Sequence, residues 1–225
     1  MPDVAPRRIM IVGNGDIPDG AAAFIDDSDT VIRFNDCRSF GAGGRKTDVV
    51  AVCNTGRPAA AMLTSEDWMF ARPLRDCTQI WSVRDPQRFA ALRAPILAAH
   101  PELDDFCDDY THQFEALCAA TGKRHRIIGG HVHDGVDASL AAFSPDAYVV
   151  PSSGMIVIAD QLATLAGDDE IWIAGFSHSG WHGHPFAAEA RLVDRYVRAG
   201  RLQRVEDRVA SPAASAYISS KVAGR

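Results

Sequence analysis

Two short segments and a run of histidines carry the residue types that do chemistry. Ile11-Val12-Gly13-Asn14-Gly15 closes an apolar run with two glycines and an amide between them. Pro151-Ser152-Ser153-Gly154 places two hydroxyls and a glycine ahead of the apolar stretch from Met155 to Ala163. A helix opening there points free backbone N–H groups and the positive end of its dipole forward, which suits a phosphate. His178, His182 and His184 follow a third strand-like run, and an imidazole with an ordinary pKa of about 6.5 suits proton transfer near neutral pH. A Gly-rich turn, a hydroxyl-opened helix and clustered histidines together point to a nucleotide-linked transfer reaction.

Each feature also has a plainer reading. Gly13 and Gly15 can serve a strand-to-helix turn, and Asn14 can bond its own backbone. Ser152 and Ser153 can simply cap the helix, worth about 1 kcal/mol. Three close histidines can sit in a surface loop or bind zinc. The turn lacks the third glycine of a dinucleotide fingerprint, with Pro18 in its place. That disfavours an NAD enzyme, although Asp36 could mimic a ribose-binding acid.

The elements that must position these residues follow from hydrophobic patterning. Short Val- and Ile-rich runs predict strands over 9–12, 30–34, 48–52, 79–83, 126–128 and 170–174. Helices are predicted over 20–25, 59–67, 86–100, 103–120, 136–142, 153–166 and 185–199. This alternation implies a mainly parallel sheet with helices on both faces, whose ligands sit at the carboxyl ends of the strands. Val12-Gly13-Asn14, Phe34-Asn35 and Ala174-Gly175-Phe176 all fall at such ends. The acidic residues 102–109 read as the solvated face of a long helix.

Composition narrows the classes. At 225 residues the chain fits one domain. A net charge of -6 argues against a general nucleic-acid binder. Five cysteines, an odd number with no C-x-x-C pair, suit a reducing cytoplasm better than a disulfide framework. No run approaches the ~18 apolar residues of a membrane span, and no signal-like segment precedes the first strand.

Three groups of residues resemble, in order, the motifs of animal-type sialyltransferases. The first is V-G-N at Val12 to Asn14, then I-D-x-x-D-x-V-x-R-x-N from Ile25 to Asn35, then Gly44-Arg45-Lys46-Thr47. Next come Pro151-Ser152-Ser153-Gly154 and the strand ending Gly175-Phe176. Last is the H-x-x-x-x-E spacing from His184 to Glu189. The resemblance implies a single Rossmann-like catalytic domain, a variant of the GT-A-like fold. It implies inverting transfer of a CMP-activated ulosonic acid (sialic acid, Kdo or similar) to a glycan or lipid-linked glycan, with no metal or other cofactor. In that reading His184 is the general base, and His178 or His182 contacts the donor phosphate. Glu189 orients the histidine or caps a loop. Asn14 and Asn35 meet phosphate and ribose, and Ser152, Ser153 and Gly154 meet phosphate or cytidine. Arg33 and Lys46 resemble phosphate or carboxylate partners, or else solvated surface groups. The chain departs from the family in having no membrane anchor and no cysteine near Pro151 to bridge the first two motifs. The alternative is a nucleotide-binding or accessory protein that keeps the fold without transferring sugar.

Overall fold

The computed structural model describes residues 6–209. In chain order the elements are β1 (Arg8–Val12), α1 (Ala21–Asp26), β2 (Thr30–Phe34), β3 (Val49–Val52), α2 (Gly56–Thr64), α3 (Glu66–Phe70) and α4 (Arg72–Asp76). Then follow β4 (Gln79–Ser82), α5 (Pro86–Ala99), α6 (Thr111–Thr121), β5 (Arg124–Ile127), α7 (Gly130–Ala141) and α8 (Ser153–Thr164). The order closes with β6 (Glu170–Ala174), α9 (Phe186–Arg198), β7 (Gln203–Arg204) and α10 (Val205–Val209). The strands form one sheet in the order β5-β4-β3-β2-β1-β6-β7, and every neighbouring pair is parallel. The α/β, Rossmann-like architecture expected from the alternation is therefore present.

Strand residues alternate between two apolar layers, because successive side chains leave a strand on opposite faces. Ile9, Ile11, Ile32 and Val49 pack with α7, α8 and α9 on one face. Met10, Val12 and Val31 meet α1 and α10 on the other, where Val50, Val52 and Ile80 meet α2, α3, α4 and α6. Fully burying an Ile or Val contributes about 1.5–3 kcal/mol, so the central strands anchor both layers. Five free cysteines are buried. Burial pushes the Cys37 thiol up to about 12 and that of Cys118 up to about 11.

Several elements differ from the patterning. The single helix expected over 59–67 is split between α2 and α3 where Ser65 takes an extended ψ of 112°, and an unexpected short helix, α4, follows Ala71 at a ψ of 141°. The helix expected over 103–120 begins only at Thr111. The one expected over 86–100 is α5, ended at His100, whose φ and ψ of -139° and 75° follow from Pro101 behind it. The acidic segment beyond is a fastened loop rather than a solvated helix face. Asp105 pairs with Arg57 at 2.7 Å, Asp108 with Arg93 at 2.5 Å, and Phe106 turns inward. α7 begins six residues early because Asp85, the N-cap of α5, also accepts from the Gly130 N–H at 3.1 Å. β7 is a two-residue edge strand that no apolar run announces.

Arg33 and Lys46 are neither ligand partners nor free surface groups. Arg33 is fully buried and has no carboxylate among its hydrogen-bond partners. Its Nε donates to the Lys46 carbonyl and the Thr47 hydroxyl, both at 3.1 Å. Its Nη2 donates to the carbonyls of Gly43 at 2.7 Å and Gly44 at 3.2 Å. Lys46 donates to the Ser28 and Asp29 carbonyls at 2.5 and 3.1 Å. Asp26 accepts from the Arg45 and Lys46 N–H groups at 2.7 and 2.8 Å. The acidic and basic residues of this region thus fold the 39–47 loop onto the sheet. Arg33→Met should lower the unfolding free energy by about 3 kcal/mol in urea denaturation, since buried acceptors would lose their charged donor. An unchanged midpoint would show that the loop does not depend on Arg33.

Candidate functional site

The chain winds outward from β1 to β5 and then returns to place β6 on the other side of β1. Above that reversal lies a cleft of about 550 Å³, lined by Gly13–Gly15, Phe34–Asn35, Ser152–Gly154, Gly175–Trp181 and His184. This is where open parallel sheets hold ligands. The structure brings Gly13, Asn14, Gly15, Asn35, Ser152, Ser153, Gly154, His178, His184 and Glu189 to one cleft. His182 is exposed and is not among its lining residues.

The two glycines join the ends of β1 and β6. Gly13 and Gly15 donate their N–H groups to the carbonyls of Ala174 and Gly175 at 2.8 and 2.9 Å. A Cβ on either would lie 2.3 or 2.8 Å from the Gly175 oxygen, so the β1 and β6 turns can meet only through glycine. Gly154 is likewise required for close approach, its Cβ position being 2.7 Å from the Phe176 ring. Asn14 Nδ2 donates to the Phe34 carbonyl and to Asp36 at 3.3 Å, and its Oδ1 accepts from the Arg38 N–H at 3.0 Å. Asp36 is therefore occupied by Asn14 and lies 3.4 Å from Arg38. Asn35 sits at a φ of 49° with Oδ1 accepting from the Cys53 N–H at 2.8 Å. Its Nδ2 has no acceptor among the described residues, and Asn35 lines the cleft.

The start of α8 is fixed from α9. Ser152 caps α8 by accepting from the Met155 N–H at 3.2 Å. The Glu189 carboxylate in turn accepts from the Ser152 N–H and hydroxyl, both at 2.6 Å. Glu189 thus holds Ser152 and makes no bond to His184. The N–H groups of Ser153 and Gly154 have no acceptor among the described residues and open onto the cleft.

His184 is oriented instead by the Val150 carbonyl, 2.8 Å from Nδ1. A carbonyl there takes the ring proton on Nδ1, which leaves Nε2 as an acceptor. Burial lowers the His184 pKa; the Val150 carbonyl opposes this and the Arg84 charge adds to it. His178 is strained, with a φ of 47°, and its Nε2 is buried without a partner. Burial lowers its pKa as well. Among the described residues, no group of three His, Cys, Asp or Glu is arranged to hold a metal ion.

Patterning missed one corner of the site. Asn54 clasps the backbone of Arg84, accepting its N–H at 2.8 Å and donating to its carbonyl at 2.9 Å. Arg84 then faces a further cavity of about 360 Å³ that shares Asn35, Ser153, Trp181 and His184 with the cleft. A lone arginine behind a strand gives no signal in sequence; its partners come from three other segments.

The fold and site define an α/β protein with a polar cleft at the reversal of a seven-stranded parallel sheet. Comparison with protein-family models finds no match. The chain is 54% identical over 200 residues to the urease operon 23 kDa accessory protein of Rhizobium meliloti (strain 1021), spanning 88% of this chain and 93% of that one. It belongs to the family of that accessory protein. It also aligns with the sialyltransferase CstII from Campylobacter jejuni, solved with a substrate analogue, at 12% identity and a TM-score of 0.45 over 88% of this chain and 79% of that one. A likeness that distant carries no argument.

The kinship overturns the sialyltransferase expectation. With it go the CMP-ulosonate donor, the glycan or lipid-linked acceptor, and a sugar transfer with His184 as base. The physical reason lies in the motif residues themselves. Asp26, Arg33 and Lys46 fasten a loop, Gly13 and Gly15 close the sheet, and Glu189 holds a helix cap. Each role asks for the same residue type that the resemblance assigned to chemistry. Among the described residues, no helix is long and apolar enough to cross a membrane.

Burial raises the Glu189 pKa above the ordinary glutamate range, and the two Ser152 bonds oppose this. The folded protein therefore holds this proton at pH values where the unfolded chain has lost it. The contribution of Glu189 to stability should fall as pH climbs from the ordinary value to the folded one, then level off. In urea titrations across that window, the stability of the wild type relative to Glu189→Gln should decline with rising pH. A difference independent of pH would contradict the assignment.

Proposed function

We propose that this chain is an accessory protein of urease production that binds a nucleotide, or a phosphate ester of that size, in the cleft at the sheet reversal. The observation that carries this reading is the open end of α8, where the Ser153 and Gly154 N–H groups face the cleft without acceptors. Aligned peptide dipoles make such an end favourable for a phosphate. Asn35 Nδ2 and the neutral His184 ring offer one further donor and one acceptor on the same wall. Phe34, Phe176 and Trp181 give flat apolar surface for a base. The accessory role is taken from the relative's name, and buried free thiols suit a reducing cytoplasm. Here the ligand is recognised and no sugar is transferred.

Ser153→Asp tests the reading. An acidic residue in the first turn of a helix favours folding, yet its charge would stand where the phosphate is expected. Calorimetry with the four ribonucleoside monophosphates should find one that binds at least about tenfold tighter than its unphosphorylated nucleoside. Ser153→Asp should abolish that binding. Cells lacking the chain should lose urease activity, restored by the wild type but not by Ser153→Asp. Absence of any phosphate-dependent binding would remove the nucleotide reading; unchanged urease activity would remove the accessory one.

A further inference from the structure

We infer that the cleft continues into a second anion subsite at Arg84, so that its ligand carries two adjacent phosphates, as a nucleoside diphosphate does. This rests on the reading of α8 as the end that receives the first phosphate.

Arg84 is 7% exposed and forms no ion pair among the described residues. Its one side-chain hydrogen bond runs from Nη1 to the Thr55 hydroxyl at 2.5 Å. The guanidinium lies over the rings of Phe89 and Phe106, 4.9 and 4.3 Å from their centroids. Nε and Nη2 have no acceptor among the described residues. Other arginines of the fold are treated differently. Arg33, also buried, gives Nε, Nη1 and Nη2 to loop oxygens. Arg126 grips the buried Asp160 at 2.9 and 2.6 Å. A buried cation without an anion is costly, and none of the described residues supplies the missing partner.

The surroundings indicate what supplies it. The cavity beside Arg84 is bounded by Ser153, the second residue of the phosphate-facing segment, and by His184. The single acid on its wall, Asp105, is already neutralised by Arg57 at 2.7 Å. His184 does not compete as a second charge, because its burial favours the neutral ring. Phe106 stacks on Trp181 with centroids 5.4 Å apart, placing apolar surface around the guanidinium. Low local polarity strengthens a charge–charge contact, and the planar fork of arginine matches two phosphate oxygens. Since Ser153 borders both cavities, a second phosphate bonded directly to the first extends the ligand from α8 toward Arg84.

Base-free probes isolate the two subsites. Orthophosphate and pyrophosphate are titrated separately into the full chain, with calorimetry and ligand-induced thermal stabilisation as readouts. Pyrophosphate should bind at least about tenfold tighter than orthophosphate. Arg84→Gln should bring the two within about twofold by weakening pyrophosphate alone, and Arg84→Lys should fall between. Equal binding of the two probes by the wild type overturns the second subsite and leaves the α8 reading standing; failure of both to bind removes both. Undiminished pyrophosphate binding by Arg84→Gln also overturns the proposal. Should Arg84→Gln unfold, the wild-type ratio and Arg84→Lys decide the matter.

Discussion

The geometry of the cleft depends on one buried carboxylate. Glu189 stands in the first turn of α9 and accepts both the N–H and the hydroxyl of Ser152, the cap of α8. It therefore lies near the positive ends of two helices, which offsets part of the cost of burying its charge. The consequence for α8 is orientation. With Ser152 held from behind, the next two N–H groups of the helix have nowhere to point but into the cleft. His184 reinforces this by binding Val150, two residues before the cap. Of the two roles open to Glu189, orienting the histidine or capping a loop, the second is the one seen, and His184 holds the same loop.

A second constraint is the contact between the turns after β1 and β6. Hydrogen bonds from Gly13 and Gly15 to Ala174 and Gly175 bring backbone against backbone with no room for a Cβ. The site is thus built on an approach between neighbouring strands that only glycine allows, and the cleft opens just beyond it.

Much of the fold was legible because its signals are local. Apolar runs such as Ile9–Val12 and Glu170–Ala174 are buried on both faces and carry no polar alternation, as parallel strands do. The cap at Ser152 was legible for the same reason, since hydroxyl and helix are three residues apart. The start of α7, set by Asp85 from another segment, was not. The functional reading went astray at residues such as Arg33 and Asp26, whose types fit a phosphate-handling motif but whose partners are loop carbonyls and amides. Residue type and order are visible in a sequence; whether a donor is already satisfied is not. Arg84 shows the converse, being uninformative in sequence and distinguished only by the partners it lacks.

The strand order also bears on how the protein can be made. β1 is the third strand from the edge that β6 and β7 complete, and β6 is synthesised only after β2 through β5 have been laid down on the other side. At roughly 5–20 residues per second on the ribosome, a nascent chain carries an unpaired, largely apolar β1 edge for on the order of ten seconds. Such an edge is a template for another strand, so during translation the growing chain is most open to mispairing along the line where its cleft will later form.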